Sequence, residues 1–250
     1  MAYNANDFVI VNGVLVKYNG SETDVVIPDS VTEIGESAFF DCRILTSITI
    51  PDGVIEIGKQ AFFNCESLIS ITIPDGVTKI GGSAFYFCYN LTSVTIPDSV
   101  TEIGRKAFWR CQGLADKNGF VIIRNVLYSY CGKDRAVIIP DGVTEIGKWA
   151  FARCINLSSV IIPDGVTEIG ESAFYVCTNL TSITIPDSVT EIGNWAFFNC
   201  VSLTSITIPD SVTEIGEGAF EGCEKLTIHA SNGSYAQKYA QKNNIPFEAL

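Results

Sequence analysis

Residues 45–65 read LTSITIPDGVIEIGKQAFFNC, and versions of this segment recur along most of the chain. The period is 23 residues, the spacing from Pro28 to Pro51. A fixed period of this length is typical of a solenoid, in which each repeat buries its apolar side chains against its neighbours. The repeated proline occurs at Pro28, Pro51, Pro74, Pro97, Pro140, Pro163, Pro186 and Pro209, and the repeated cysteine at Cys42, Cys65, Cys88, Cys111, Cys154, Cys177, Cys200 and Cys223.

The order of residue types within one repeat predicts its local structure. Apolar and polar residues alternate in LTSITIP, which indicates a short strand with its apolar side chains directed inward. Pro51 lacks a backbone donor and ends this strand, and the Asp-Gly pair after it favours a turn. We predict a short helical or 3₁₀ stretch that begins at Ala61. The predicted core positions are Leu45, Ile48, Ile50, Val54, Ile57, Ala61, Phe62 and Cys65.

The period is interrupted once, between Pro97 and Pro140. The inserted segment GFVIIRNVLYSYCG matches the early segment DFVIVNGVLVKYNG at an offset of 112, so that Phe8 corresponds to Phe120. Both segments are predicted to form β-hairpins, the first with an Asn-Gly turn. The chain is therefore predicted to be a single solenoid over residues 1–250, built as a hairpin plus four repeats (1–114), a second hairpin plus four repeats (115–226) and a cap (227–250).

The ends of the solenoid are predicted to be capped, because a terminal repeat otherwise exposes its apolar face. The first hairpin is the expected amino-terminal cap. Residues 234–244, SYAQKYAQKNN, favour a helix with Ser234 as its N-cap and with Tyr and Ala on one face. This helix is the expected carboxy-terminal cap.

The repeat pattern L-x-x-I-x-I-P-x-x-V-x-x-I-G-x-x-A-F-x-x-C resembles the BspA-like class of leucine-rich repeats. The hairpin FVIVNGVLVKYNG and the tail GSYAQKYAQKNNIPF are similar to segments that flank such repeats. The resemblance implies an α/β fold, a right-handed leucine-rich-repeat solenoid with a mostly parallel β-sheet and short helical or 3₁₀ segments. It also implies protein binding or cell adhesion, often at microbial or protist cell surfaces, and it carries no catalytic residues.

Charge and hydropathy narrow the classes of partner. The net charge of −12 at pH 7 has the wrong sign for nucleic acid and is repelled by anionic membranes. No apolar run approaches the roughly 18 residues of a membrane span, so no membrane insertion is expected. The resemblance suggests a cell-surface or secreted location. The start of the chain, MAYNANDFVI, does not have the pattern of a signal peptide, which leaves a cytoplasmic location as the alternative.

Side chains that carry chemistry are scarce. The repeated cysteines are predicted to be buried free thiols rather than disulfides or metal ligands, with Cys131 more accessible. The single histidine, His229, lies outside the repeats and has no recognisable catalytic partners. The sequence therefore predicts no enzyme activity, no cofactor and no metal site.

Two rows of carboxylates follow from the repeat, one after each proline and one at the glutamate of the TEIG motif, where Lys79 replaces the glutamate once. Calcium could bind such rows, since it prefers oxygen ligands. Ordinary turn residues and solvated side chains explain them better. The outward Ser and Thr side chains of the strands are likewise better explained as good β-formers than as an ice-binding array.

The variable surface of the repeats is the best candidate for binding. Residues next to the Ala-Phe pair change freely between repeats, and six of the eight residues that directly follow its Phe are aromatic. Exposed aromatic residues with a polar rim are typical of interfaces. The predicted aromatic stripe comprises Phe40, Phe63, Tyr86, Trp109, Trp149, Tyr175, Trp195 and Phe198.

Two functions remain open for this stripe. It can bind a protein or host-surface ligand, as in an adhesion module. Alternatively it makes homotypic contacts in a structural or self-assembling protein, which would be a homo-oligomer. A structural interpretation also remains, in which the rings pack over neighbouring repeats and shield the edge of the core.

Overall fold

The computed structural model describes residues 5–250, which divide into two compact units. The first unit ends at Val121 and the second begins at Ile122. The arrangement of residues 1–250 as one solenoid, with blocks meeting at residue 114, stays a prediction. Residues 1–4, which belong to the segment considered for a signal peptide, lie outside the described residues.

The first unit contains two sheets of short strands. One sheet has the order β1-β2-β4-β6-β8-β10 and the other β3-β5-β7-β9, and apart from the β1–β2 hairpin their pairs are parallel. The strands are β1 (Phe8–Val11), β2 (Val14–Tyr18), β3 (Asp24–Val26), β4 (Glu33–Ile34), β5 (Ser47–Thr49), β6 (Glu56–Ile57), β7 (Ser70–Thr72), β8 (Lys79–Ile80), β9 (Ser93–Thr95) and β10 (Glu102–Ile103). Short 3₁₀ segments occur at Ala5–Asp7 and Gln112–Leu114.

The second unit repeats this arrangement. Its sheets have the orders β11-β12-β14-β16-β18-β20 and β13-β15-β17-β19-β21-β22. The elements are β11 (Phe120–Ile123, which spans the unit boundary), β12 (Val126–Tyr130), β13 (Ala136–Ile138), β14 (Glu145–Ile146), β15 (Ser159–Ile161), β16 (Glu168–Ile169), β17 (Ser182–Thr184), β18 (Glu191–Ile192), β19 (Ser205–Thr207), β20 (Glu214–Ile215), β21 (Thr227–Ala230), helix α1 (Tyr235–Lys242) and β22 (Phe247–Ala249). Both units are thus parallel β-solenoids with very little helix.

The predicted strand of each repeat is confirmed. Ile48 and Ile50 are buried while Ser47 and Thr49 are exposed, as alternation requires. Successive repeats pair in register, so that Ser182 lies opposite Ser205. The second sheet, formed by two-residue Glu-Ile strands, was not predicted, because two residues are too few to show alternation.

The helical or 3₁₀ stretch predicted to begin at the Ala-Phe pair is wrong, because the described repeats have turns there. Residues 59–64 instead form successive turns, with Ala61 N–H bonded to Gly58 O at 3.3 Å and Phe63 N–H bonded to Gln60 O at 3.0 Å. Gln60 and Asn64 have φ of 56° and 61°. A residue in the left-handed region cannot continue a right-handed helix, so each stretch stops after one turn.

These turns also bond to the turns of the next repeat. Alternate backbone N–H groups donate to carbonyl oxygens one repeat further on, which gives each unit a third ladder of hydrogen bonds. Glycine at the preceding corner allows this close approach, since a Cβ on Gly81 would lie 2.5 Å from Lys59 N. In one repeat the bonds are Gln60 N to Gly82 O at 3.0 Å, Phe62 N to Ala84 O at 2.8 Å and Asn64 N to Tyr86 O at 2.7 Å.

The phenylalanine of each Ala-Phe pair forms a stacked column inside the solenoid. In the first unit Phe39, Phe62, Phe85 and Phe108 have 0% exposure and lie with ring centroids 5.1, 5.3 and 5.2 Å apart. The second unit has the same column in Phe151, Phe174, Phe197 and Phe220. Burial of each side chain stabilises the fold by about 1.5–3 kcal/mol, so these columns are a major part of the core.

Both predicted hairpins are present. Asn12 and Gly13 have φ of 51° and 82°, as a primed turn requires, and Arg124 and Asn125 form the second turn with φ of 50° and 63°. Strand β2 pairs with β4 and strand β12 with β14, both parallel. Each hairpin therefore joins the sheet of Glu-Ile strands in its unit.

The predicted helix near the carboxyl end is confirmed as α1. Ser234 is its N-cap, and the Ser234 hydroxyl accepts a hydrogen bond from Gln237 N–H at 3.2 Å. Tyr239 packs edge-on against Phe220, with ring centroids 6.0 Å apart. Across the described part of the chain, no helix has the length and apolar character needed to span a membrane.

Val176 should be the least favourable residue among the left-handed turn positions of the second unit. Its φ is 59°, and a β-branched side chain in this region costs roughly 1–2 kcal/mol. Asparagine occupies the equivalent position at Asn199. We expect Val176→Asn to raise the melting temperature by about 2–4 °C in calorimetry, given about 1 kcal/mol gained.

Asn199→Val, the reverse change in the next repeat, is the matched control and should lower the melting temperature. Equal melting of all three proteins would contradict the cost assigned to the left-handed position.

Candidate functional site

Four residues of the predicted aromatic stripe form a stacked column on the outside of the first unit. Phe40 and Phe63 lie 4.8 Å apart, Phe63 and Tyr86 5.0 Å apart, and Tyr86 and Trp109 4.9 Å apart. The first two pairs are nearly parallel, and Trp109 is tilted by 31°. Phe40 is 49% exposed and the other three are half-buried.

The second unit brings together three further residues of the stripe. Tyr175 and Phe198 stack at 5.0 Å, and Trp149 lies tilted against Tyr175 at 5.0 Å. Trp195 is 38% exposed and lies beside Gly218, where a Cβ would come 2.6 Å from the indole ring. In the first repeat of this unit, the outer column holds Ala152, which is buried.

Two aromatic residues of the site were missed in the sequence. Phe87 lies edge-on to Tyr86 at 4.2 Å and 5.4 Å from Tyr89, so both extend the stripe sideways. The sequence could have indicated Phe87, because it is aromatic at a repeat position that holds the polar residue Asp41 in the first repeat.

Several of these rings occupy left-handed backbone positions. Phe87, Trp149 and Trp195 have φ of 64°, 68° and 52°. Bulky residues are costly in this region, where glycine and asparagine are cheaper. Gln60 and Asn64 are left-handed at the equivalent positions of another repeat, so the turn itself requires this conformation and the bulky rings make it more costly.

Two cationic side chains lie close to the indole ring of Trp109. The guanidinium carbon of Arg110 lies 4.8 Å from the centroid of the indole ring, and Lys106 Nζ lies 5.7 Å from it. Both distances are within the range of cation–π attraction. The end of the stripe in the first unit is therefore positively charged, on a chain whose net charge is −12.

The row of TEIG glutamates differs between the units. In the first unit Lys79 Nζ lies 3.4 Å from Glu56 Oε1 and 4.0 Å from Glu102 Oε1, which offsets the negative charge. In the second unit Glu145, Glu168, Glu191 and Glu214 pair in register on neighbouring strands.

Burial raises the pKa of Glu145, Glu168 and Glu191 above the ordinary value, and neighbouring glutamates add to this shift while Lys148 opposes it. The row is therefore a source of repulsion at neutral pH. Among residues 5–250, no group of three or more His, Cys, Asp or Glu side chains is arranged to hold a metal ion.

The repeated cysteines are free thiols. Six are buried, and each of these donates from Sγ to a phenylalanine carbonyl oxygen of the previous repeat, as Cys65 does to Phe39 at 3.2 Å. Cys42 and Cys154 are partly exposed, because each follows a hairpin rather than a repeat, and Cys131 is also partly exposed. Burial, with a contribution from Asp41, raises the pKa of Cys42 to about 11, so this thiol is a poor nucleophile at neutral pH.

His229 lies on β21, with Nδ1 3.5 Å from Glu248 Oε2. His229 and Glu248 are register partners on β21 and β22, so this contact joins two neighbouring strands.

Comparison with known proteins identifies the family. The model described as the BspA type leucine rich repeat region matches residues 16–120 and 121–245, with six copies. The chain therefore belongs to the BspA-type leucine-rich-repeat family, as its repeat pattern predicted.

Solved structures of bacterial leucine-rich-repeat proteins are similar to this chain. One from T. pallidum is 25% identical, with 99% of this chain and 98% of the other covered and a TM-score of 0.49. One from Eubacterium ventriosum is 23% identical over 88% and 72%, with a TM-score of 0.55, which supports the shared fold. A cell surface protein from Faecalibacterium prausnitzii is 29% identical over 96% and 97%, with a TM-score of 0.42. No curated protein matches the chain.

The glutamate row yields a test of stability. The offset of 112 places Glu191 in the second unit where Lys79 stands in the first. We expect Glu191→Lys to raise the melting temperature at pH 7 by about 1–3 °C, since exposed ion pairs contribute up to about 1 kcal/mol. Lys79→Glu, the reverse change, should lower it.

The pH dependence of the same variants provides a second measurement. A glutamate whose pKa is raised in the folded state binds more protons than in the unfolded state, so its folded form gains stability as pH falls from 7 towards 5. This gain is complete below the unfolded pKa of about 4.3. Glu191→Lys should show a smaller gain than the wild type in melting scans at pH 7 and pH 5. A larger gain would show that the glutamates are not the source of repulsion.

Proposed function

We propose that this chain is a non-enzymatic protein-binding or adhesion module whose binding surface is the aromatic stripe. The observation that carries the proposal is the placement of bulky rings at part-exposed outer positions, some of them in costly left-handed conformations. Large aromatic residues are enriched among the side chains that dominate interface energies. In the first unit, Phe87 and Tyr89 belong to this surface.

The alternative that the rings merely shield the core has less support. Ala152 stands in the outer column, and the neighbouring inner ring, Phe151, is nevertheless 0% exposed. Phe220 is also buried although Glu221 follows it. The inner column is therefore buried without a ring outside it.

The proposed partner is a protein or host-surface ligand, met at a cell surface or after secretion. Membership of the BspA-type family supports this role, since the resemblance implies adhesion and protein binding. The proposal includes no cofactor and no catalytic residue. Homotypic contact through the stripe is the second candidate, and the difference in charge between residues 105–112 and residues 217–224 favours it.

We also propose that the first hairpin and helix α1 act as caps. Tyr18 of the hairpin lies 5.1 Å from Phe39, and Tyr239 of the helix contacts Phe220, so each covers the end of a phenylalanine column.

Removal of residues 227–250 would uncover the apolar side chains of the last repeat, each contributing about 1.5–3 kcal/mol. We expect the shortened chain to melt at a much lower temperature or to aggregate. Unchanged melting of a soluble shortened chain would refute the capping role.

Trp109→Ala tests the binding surface, because alanine is tolerated in this column at Ala152. We expect a melting temperature close to the wild type, and at least about tenfold weaker capture of partners, since loss of an interface anchor costs about 2 kcal/mol or more. Binding is measured with the immobilised protein against extracellular-matrix and host-cell extracts. The matched control is Ile161→Ala on strand β15, which removes a 58% exposed apolar side chain outside the stripe.

Phe108→Ala in the neighbouring position should instead lower stability by about 3–5 kcal/mol, because Phe108 is fully buried. Intact binding combined with a large loss of melting temperature in Trp109→Ala would show that the outer ring is structural. If Ile161→Ala weakened binding and Trp109→Ala did not, the binding surface would be the sheet that contains β15 and not the stripe.

A further inference from the structure

The last repeats of the two units carry opposite charges at equivalent positions. The offset of 112 aligns Arg105 with Glu217, Trp109 with Glu221, and Gln112 with Glu224. Around its Phe, the first of these repeats has Arg105, Lys106 and Arg110 and no acidic residue, as RKAFWRCQ. The second reads EGAFEGCE and has no basic residue.

The basic surface, defined by Arg105, Lys106, Trp109 and Arg110, is built around the indole ring. Arg105 and Arg110 are exposed, and the Arg110 guanidinium lies over the ring that Tyr86 flanks. Ring and cations together form one amphipathic surface, which combines apolar area with positive charge. Such a surface fits an acidic partner that also offers apolar contact.

The acidic surface, defined by Glu217, Glu221 and Glu224, surrounds a cavity of about 510 Å³. Phe220 and Tyr239 also line this cavity, together with residues 243–246. All three glutamates are exposed. The volume lies within the range of about 300–1,000 Å³ typical of ligand pockets.

Two glycines line this cavity. Gly218 and Gly222 occupy the two left-handed positions that hold Lys106 and Arg110 in the first unit, with φ of 60° and 80°. The large cationic side chains of one surface therefore correspond to glycines on the other, where a Cβ would lie against Trp195 or Asn199. The two surfaces are complementary in charge.

We propose that a second copy of this chain binds at the end of the aromatic stripe in the first unit, with its acidic surface against the basic surface of the first copy. This inference rests on the proposed function and specifies the homotypic contact that is its second candidate. Two copies that each carry a net charge of −12 repel one another at long range, so association requires that the few cations be placed directly against carboxylates. The basic surface meets this requirement at the end of the stripe, and the same chain supplies its complement.

The contact is heterologous, because one surface binds a different surface of the partner. Such contacts give a closed ring when the rotation between successive copies closes, and open filaments when it does not. Either product follows from the same pairing, and both appear as an increase in mass with protein concentration.

Charge reversal tests the pairing. Sedimentation velocity over a concentration series, at about 0.1 M ionic strength, should show that the full-length wild type self-associates. We expect Arg110→Glu to weaken this association at least about tenfold, because close charge pairs at interfaces couple by about 1.5 kcal/mol or more. Glu221→Arg should weaken it to a similar extent, and the chain that carries both changes should regain association.

The controls separate this effect from net charge and from misfolding. Lys17→Glu makes the same change of charge on an exposed residue of β2 and should leave association unchanged. Arg110→Asn removes the cation with a residue that already occupies this left-handed position at Asn64, so it keeps the backbone favourable. Each variant should melt like the wild type.

Three results would overturn the inference: a wild type that stays monomeric up to about 100 μM, a charge reversal without effect, and a double variant that does not regain association. At that concentration even pairing with a Kd near 100 μM would be visible. A monomeric wild type that loses a foreign partner upon Trp109→Ala would refute the second copy as partner and leave the proposed binding surface intact. Loss of neither kind of binding in Trp109→Ala would refute the binding surface itself.

Discussion

Backbone hydrogen bonding between successive repeats is the constraint on which the rest of each unit depends. Two parallel sheets and the ladder of turns bond every repeat to the next along three sides. The turn ladder requires a left-handed residue at two fixed positions per repeat, such as Gln60 and Asn64. Any side chain that tolerates this conformation can stand there, since the hydrogen bonds use only backbone atoms. The frame is therefore constant while the side chains on the turns vary.

This separation explains why core and surface obey different rules. Inside, Phe62 stacks on Phe85, and Cys65 satisfies a carbonyl oxygen of the previous repeat, so both positions tolerate little change. One residue further along, the outer ring Phe63 lies outside the core, and the same column holds Ala152 and Glu221 elsewhere. Such positions can vary at modest cost in stability, because the ladder of hydrogen bonds uses only their backbone atoms.

Much of the fold was predictable from the sequence, because a fixed period and strict alternation are local signals. The strand Ser47–Thr49, both hairpins and helix α1 follow directly from residue types. The turns after the second strand were not predictable as turns, since Ala-Phe pairs suit a helix and only the backbone reveals the left-handed residues. Stacking of the outer rings followed from the period, whereas the cations over Trp109 and the cavity beside Tyr239 depend on side-chain directions that spacing does not specify.

The stacked rings of the outer column are evenly spaced. Neighbouring rings in the outer column lie 4.8–5.0 Å apart, so each added repeat lengthens the surface by one step of fixed size. An interior repeat forms the same backbone hydrogen bonds with the repeat before it as with the repeat after it. A gain or loss of whole 23-residue units by recombination would then change the reach and valency of the surface while every remaining interface kept its geometry. A change in the number of repeats would therefore alter the length of this surface more simply than substitutions of single residues.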